Sequence, residues 1–271
     1  PSEDCVCADC ADDGRCVGCD ENGRALLTEL AARGLIVDFV QRDPDHPTGL
    51  VTVDTTIPDH PVFTIHENTA WDALEYSPAW EQLARQAAAI CFGTLAQRSQ
   101  TARHTIRRML ENTSPGCLRV FDVNLRQHYY DLEVLESSLR AADYVKLNND
   151  EVPIVAELLK LPSAPAAFVE KLAGWFTLEG VCVTRGADGC LLYHRGTFVD
   201  EPGLSVTVAD TVGAGDAFTA AWIHALLEGQ SPEIQAKFAN RAGALTASKP
   251  GAMPPVADEY RRLVAELFVT P

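Results

Sequence analysis

The stretch Asp210-Thr211-Val212-Gly213-Ala214-Gly215-Asp216 carries most of the information about the fold and chemistry of this chain. The β-branched residues at 205–208 are typical of a strand, and the apolar positions of 217–228 fit one face of a helix. A strand that turns through two glycines into a helix leaves unpaired N–H groups at the positive end of the helix dipole, which favours an anion. A carboxylate at Asp216 would oppose that anion unless it accepts a proton from a hydroxyl that attacks phosphorus. The stretch therefore predicts a phosphoryl-transfer site.

Two better-known glycine motifs do not fit this sequence. The dinucleotide fingerprint fails because Phe218 stands where a third glycine is expected, and no G-x-x-x-x-G-K-[ST] run is present. A plain glycine turn, followed by an aspartate that the helix dipole stabilises, is the alternative interpretation.

Glycine or polar residues close five successive predicted strands. In an open α/β sheet, ligands bind at the carboxyl ends of the strands, so these residues are expected to share one edge. Such an edge could hold a nucleotide, its metal ion and an acceptor. The segments are Gly93-Thr94, 122–126, 148–151, 184–186 and 210–216.

Composition excludes several classes of function. The 271 residues carry a formal net charge of −16, which argues against nucleic acid and against anionic membrane surfaces. No apolar run approaches the ~18 residues of a membrane span, and no secretory signal opens the sequence, so we expect a cytoplasmic protein. Nine cysteines in that setting indicate reduced thiols rather than disulfides.

Five of the cysteines lie close together, and they allow two C-x-x-C pairs. Zinc-binding pairs are usually separated by a longer stretch of chain, which favours incidental cysteines over a metal site, although a zinc-regulated protein stays open. The five are Cys5, Cys7, Cys10, Cys16 and Cys19.

The D-T-x-G-A-G-D string resembles the signature of the PfkB/ribokinase-like family of sugar kinases. The resemblance implies an α/β, ribokinase-like three-layer fold, with a mainly parallel sheet flanked by helices and a small β lid. In that family the last aspartate is the catalytic base, which implies this role for Asp216. The backbone of Gly213, Ala214 and Gly215 would then form the anion hole for the migrating phosphoryl group.

Two further runs resemble motifs of this family. Asn148 and Glu151 have the N-x-x-E spacing that governs Mg²⁺ and phosphate in the family, although an N-cap with a capping box has the same spacing. The run 122–126 resembles the D-x-N-x-R run of fructokinases and 2-keto-3-deoxygluconate kinases. Arg126 would there contact phosphate oxygens, with a surface salt bridge as the alternative. For the substrate, the assigned residues are Gly93, Asn124 and Asp216.

The nucleotide side is assigned by the same resemblance. The run 183–189 resembles the turn that admits ribose and phosphates, and the turn at 249–252 would line the adenine pocket. Asp210 and that turn commonly hold a monovalent cation in the family, which suggests K⁺. A solvent-facing helix position is the alternative for Asn240. The positions assigned to ATP are Asn148, Thr184, Gly186, Gly189, Asn240 and Gly251.

The lid and the N-terminus complete the prediction of a single domain over 1–271. Leu50–Thr55 and Val62–His66 alternate with period two and predict a hairpin, within a lid of about 46–66 through which family members often dimerise. Residues 1–16 lack two features of the family, the first strand with its sugar-binding aspartate and the glycine-rich G-G-x-x-x-N segment.

Together these features favour an ATP-dependent sugar kinase with Mg²⁺. Fructose is the first expected acceptor and 2-keto-3-deoxygluconate the second, followed by ribose and nucleosides. The alternative is a non-catalytic relative that binds a nucleotide or a sugar and has a degenerate acceptor site.

Overall fold

The computed structural model describes residues 5–7, 16–54 and 62–268, without the side chains of 5–7, 53, 54, 62 and 63. The strands are β1 (Cys5–Cys7), β2 (Cys16–Gly18), β3 (Gln41–Asp43), β4 (Val51–Asp54), β5 (Val62–Ile65), β6 (Ala89–Gly93), β7 (Leu118–Asp122), β8 (Tyr144–Asn148), β9 (Gly180–Thr184), β10 (Cys190–His194) and β11 (Thr197–Glu201). The α-helices are α1 (Glu21–Ala32), α2 (Pro78–Gln86), α3 (Gln100–Glu111), α4 (Leu132–Ala141), α5 (Glu151–Leu159), α6 (Pro165–Phe176), α7 (Ala214–Leu227), α8 (Pro232–Ala247) and α9 (Ala257–Leu267).

A seven-stranded sheet in the order β1-β6-β7-β8-β9-β10-β11 forms the middle layer. The pairs from β1 to β9 are parallel, and β10 and β11 add an antiparallel edge. All five residues of β6 are buried, as expected of a strand covered on both faces.

Helices cover both faces of this sheet. Ile90 and Phe92 of β6 pack in a core with residues of α2 to α6, whereas Ala89 and Cys91 face a second core with residues of α7 and α8. The alternation follows from the two-residue period of a strand. The three layers match the predicted ribokinase-like fold.

Two small sheets stand beside the central one. The pair β4–β5 is antiparallel, as predicted for the lid hairpin, and its tip at 55–61 lies outside the described residues. The pair β2–β3 is parallel. Asp20 joins it to the base of the hairpin, because its carboxylate accepts hydrogen bonds from Gly23 N (2.8 Å), Thr48 N (2.8 Å) and Thr48 Oγ1 (2.6 Å).

The strand predicted at 205–208 is wrong. Residues 202–208 form no strand, and Val206 and Val208 are 38% and 59% exposed. The amides of Ala209 and Asp210 donate to the Ala247 carbonyl at the end of α8 instead. The β-branched residues have the local propensity for a strand, but this segment has no neighbouring strand with which to pair.

The expectation that residues 1–16 contribute no first strand is also wrong. Residues 5–7 form β1, which pairs in parallel register with 89–91 of β6 at the edge of the sheet. A three-residue strand is too short to leave a periodic signal in the sequence. β1 has the sequence Cys-Val-Cys and carries no aspartate, and residues 1–16 contain no G-G-x-x-x-N run.

Of the five clustered cysteines, the structure describes the side chains of Cys16, which is buried, and Cys19, which is exposed. Burial, together with the nearby charge of Asp43, raises the pKa of Cys16 to about 12, so its thiol stays protonated. A zinc ligand has to be a thiolate, which weighs against Cys16 in that role. Among the described helices, none is long and apolar enough to cross a bilayer.

Candidate active site

Four parallel strands bring their predicted site residues to one edge of the sheet. The register pairs Gly93 with Asp122, and Asn148 with Thr184. These are the last residues of β6, β7, β8 and β9, which are neighbours in the sheet. The predicted shared edge is therefore present for four of the five segments, and the fifth reaches it through α7.

The glycine-rich loop ends in a helix N-terminus without a side-chain cap. Helices α2 and α3 begin at Ser77 and Ser99, whose hydroxyls accept first-turn N–H groups, but α7 begins at Gly213. Gly213 has φ +78°, and a Cβ there would overlap the carbonyl oxygen of Ala252. A glycine is thus needed for backbone shape and for space. It also leaves first-turn N–H groups of α7 open to a ligand.

Asp210 joins this loop to the turn behind it. One carboxylate oxygen accepts from Val212 N at 3.0 Å and the other from Gly251 N at 3.2 Å. The side chain therefore holds 249–252 against the start of α7.

Asp216 lies in the first turn of α7. Asp216 is an exposed residue, but the protein atoms around its carboxyl raise the pKa by desolvation, and the negative charge of Asp122 acts in the same direction. The positive charges of Lys146 and Arg126 oppose this rise. A carboxylate with a raised pKa is a stronger proton acceptor, which suits a general base.

Beneath Asp216 lies a buried ion pair that the sequence analysis missed. Lys146 Nζ of β8 lies 3.0 and 3.1 Å from the two carboxylate oxygens of Asp122 on β7. The hydroxyl of Thr219 on α7 lies 2.8 Å from Asp122 Oδ2. A lysine inside an otherwise apolar strand was the available signal, because lysines are almost never buried without a partner.

Asn148 and Glu151 make the reciprocal hydrogen bonds of a capping box, although the N-cap of α5 is Asp150. Asn148 Oδ1 accepts from the amides of Asp150 (2.9 Å) and Glu151 (3.0 Å), and Glu151 Oε2 accepts from Asn148 N (2.8 Å). The other oxygen, Glu151 Oε1, accepts from Leu125 N at 2.8 Å. Glu151 thereby links the end of β8 to the loop after β7, and burial raises the pKa of its carboxyl. Each carboxylate oxygen keeps a lone pair for water.

The loop after β7 carries the predicted acceptor-side residues. Thr94 Oγ1 lies 2.9 Å from Val123 O and 3.2 Å from Asn124 O, which holds Asn124 in a left-handed conformation at φ +41°. Arg126 is exposed, and its Nη1 donates to Leu125 O at 3.3 Å. No salt bridge of Arg126 is found within the described ranges, and the salt-bridge alternative has no support there.

A second residue that the sequence analysis missed, Arg98, connects the lid to this loop. Its Nε and Nη2 each lie 2.7 Å from an oxygen of Asp72, and Nη2 also donates to His66 O at 2.6 Å. The guanidinium carbon lies 4.9 Å from the ring centre of Tyr129, whose hydroxyl lies 2.8 Å from Glu67 Oε1. The end of β5 is thus fixed against the acceptor loop.

The nucleotide-side residues lie around the turn after β9. Gly186 has φ +57° with open space around it, and Gly189 has φ +87° with Glu201 O in the place of a Cβ. Asn240 is 7% exposed and donates to Pro202 O at 2.7 Å, so the solvent-facing alternative for this residue is wrong.

A separate cavity of about 790 Å³ lies at the opposite edge of the sheet, and none of the predicted site residues lines it. Its charged side chains are Arg119, Asp143, Glu179 and Arg195, which pair with one another. The predicted site itself is an open edge.

The profile of the pfkB family of carbohydrate kinases matches residues 14–259. The chain belongs to this family. A protein of Pyrococcus horikoshii named as a putative sugar kinase is 30% identical over 234 residues, which are 83% of this chain and 71% of that protein. Its structure with ATP superposes with a TM-score of 0.71 at 25% identity, covering 90% of this chain and 82% of the other.

Two further family members differ in the sugar that their names give. A 2-dehydro-3-deoxygalactonokinase of Haloferax volcanii is 28% identical over 249 residues (88% of this chain, 76% of the relative). A fructokinase of Escherichia coli is 28% identical over 239 residues (83% and 75%). This pfkB protein is therefore a sugar kinase, and relatives at similar distance act on different acceptors.

Proposed function

We propose that this sugar kinase transfers the γ-phosphoryl group of ATP to a primary sugar hydroxyl, with fructose as the first acceptor. Asp216 removes the hydroxyl proton, the oxygen attacks the γ-phosphorus in line, and ADP leaves. The supporting observation is a carboxylate with a raised pKa in the first turn of α7, directly after a helix N-terminus that has glycine as its N-cap and no side-chain cap.

Charge on the migrating phosphoryl group has two sources of stabilisation in this chain. The N–H groups of Gly213 and Gly215 lie at the start of α7, where no side chain caps them, whereas Ala214 N donates to Thr211 O at 3.3 Å. Arg126 is an exposed cation close enough to lower the pKa of Asp216.

Magnesium fits this site through water and phosphate rather than through a protein cage. Within the described residues no group of three or more metal-binding side chains is found. Glu151 retains lone pairs for water, which is how Mg²⁺ is often held, whereas Asn148 Oδ1 already accepts two amides. When bound, the ion would neutralise phosphate charge.

The nucleotide would lie over Thr184, Gly186 and Gly189, with its base towards Asn240 and Gly251. The open space at Gly186 supports this placement. Asp210, which braces the loop and the turn, is the side chain offered to K⁺.

The acceptor would lie over Gly93 and Asn124, beneath the β4–β5 hairpin. Closure of this lid would exclude water, which otherwise competes for the phosphoryl group. Leu50 and Val51 are 48% and 45% exposed on the hairpin, and this supports a homodimer formed through the lids. Light scattering of the protein and of a Val51→Lys variant tests the dimer.

The first experiment measures ADP release from Mg·ATP across a panel of sugars, with a blank without sugar. Stimulation by fructose, or by another single sugar, supports the kinase and names the acceptor. A flat panel with ATP still bound would instead favour a relative that binds without catalysis.

The second experiment tests the base. Asp216→Asn should fold and bind ATP, and it should lose several orders of magnitude in turnover because no proton acceptor remains. Asp258→Asn is the matched control and should keep wild-type turnover. Asp258 also lies in the first turn of a helix, α9, but its side chain is 79% exposed. Substantial activity of the Asp216→Asn variant would refute Asp216 as the base.

A further inference from the structure

Lys146 and Asp122 form the most deeply buried ion pair at the sheet edge. Their side chains are 7% and 6% exposed. Burial disfavours the ammonium ion, but the charge and hydrogen bond of Asp122 outweigh this cost and raise the pKa of Lys146. Replacing a buried ion pair by apolar residues is often neutral or stabilising. Stability alone therefore gives no physical reason for placing this pair here.

The pair is connected to the glycine-rich loop through α7. The Thr219 hydroxyl lies 2.8 Å from Asp122 Oδ2 and 3.0 Å from Gly215 O, so its single proton is shared between the sheet and the loop. A Cβ at Gly215 would lie 3.4 Å from Lys146 Nζ, which places the loop backbone directly against the ammonium group.

We propose that Lys146, held by Asp122, is a positioning residue that fixes the first turn of α7 and keeps Asp216 ionised. The inference rests on the proposed function of Asp216 and extends it to β7 and β8. Three charged groups act on Asp216: Asp122 from β7, Lys146 from β8, and Arg126 from the loop after β7. Lys146 is the cation that compensates Asp122, whose charge would otherwise oppose ionisation of the base.

The test compares Lys146→Met with the double variant D122N/K146M. In Lys146→Met the charge of Asp122 is left uncompensated, so Asp216 should titrate about one pH unit higher than in the wild type. In the double variant both charges are gone, and the titration should return to the wild-type value or below it. Carboxyl ¹³C NMR, assigned with Asp216→Asn, reports the titration, and kcat/KM against pH reports its effect on the rate.

A third variant separates position from charge. Thr219→Val removes the hydroxyl bridge without changing any charge, so it should lower kcat about tenfold and leave the acidic limb of the rate profile in place. If Lys146→Met fails to fold, the double variant D122N/K146M replaces it in the test. The double variant leaves no unpaired charge, and its kcat should also fall about tenfold because Lys146 no longer positions α7.

The outcomes that overturn the proposal are distinct from those that overturn the proposed function. An unchanged Asp216 titration in Lys146→Met, an equal upward shift in the double variant, or wild-type turnover of the double variant each refutes the role of Lys146. Because NMR follows Asp216 without turnover, it tests Lys146 even if Asp216→Asn turns out to be active and Asp216 is not the base.

Discussion

Replacing Gly213 by alanine should damage turnover far more than stability. A methyl group at 213 would overlap the carbonyl oxygen of Ala252 and lie only 3.0 Å from its carbonyl carbon. Close packing leaves no room for this, so the loop and the turn must separate by about 1 Å. A displacement of that size at groups that contact the transferring phosphoryl costs roughly 10²-fold in rate.

The stability cost has a separate origin and a matched control. An L-residue at φ +78° costs about 1–2 kcal/mol. Gly34 has φ +81° with nothing within 4 Å of a Cβ, so Gly34→Ala carries the same backbone cost without the overlap. Urea unfolding should show a loss of about 1–2 kcal/mol for Gly34→Ala and a larger loss for Gly213→Ala, because the overlap with Ala252 adds to the backbone cost.

The kcat for ADP release, measured at saturating ATP and sugar, then distinguishes the Gly213→Ala variant from the Gly34→Ala variant. We expect Gly34→Ala to retain wild-type kcat and Gly213→Ala to lose about 10²-fold. If Gly213→Ala keeps kcat within threefold of the wild type, or if Gly34→Ala loses as much, the assigned geometry of the loop is refuted.

Three further predictions concern single side chains. Asp20→Ala should lose about 1–2 kcal/mol of stability with kcat retained. Hydrogen bonds from Thr48 and Gly23 lower the pKa of Asp20 to about 2, so the stability that Asp20 contributes is present above pH 4 and fades as pH falls towards 2. When the free energy of unfolding in urea is measured against pH, this pH dependence should be missing from the variant. Arg98→Met should lose about 3 kcal/mol in chemical denaturation, because it leaves the largely buried Asp72 without its cation, and adding Asp72→Asn should recover part of this loss. Desolvation raises the pKa of Asp216, so the acidic fall in kcat/KM should begin at a higher pH than the ordinary pKa of an aspartate would give. A pH profile without any fall on the acidic side would contradict a carboxylate base.

The parts of the fold that the sequence predicted are those with a local signal. β6 to β9 are short apolar runs closed by glycine or polar residues, and the apolar face predicted over 217–228 belongs to α7. The segment 205–208 has the same kind of local signal, and it fails because strand formation also needs a partner. Pairing is not a property of one segment.

The candidate site divides in the same way. The string at 210–216 and the polar strand ends are recognisable from residue type and order alone. The spacing of Asn148 and Glu151 suited both a metal site and a capping box, and only the structure shows that the two residues hydrogen-bond to each other reciprocally.

What the sequence by itself determined is the family, the layered fold and the loop that carries Asp216, because each depends on neighbouring residues or on a short ordered string. The tertiary structure alone decided that Lys146 meets Asp122, that Arg98 joins the lid to the acceptor loop, and that Ala252 lies against Gly213. These contacts join residues at least 24 positions apart. They depend on strand register and helix packing, which no local pattern specifies.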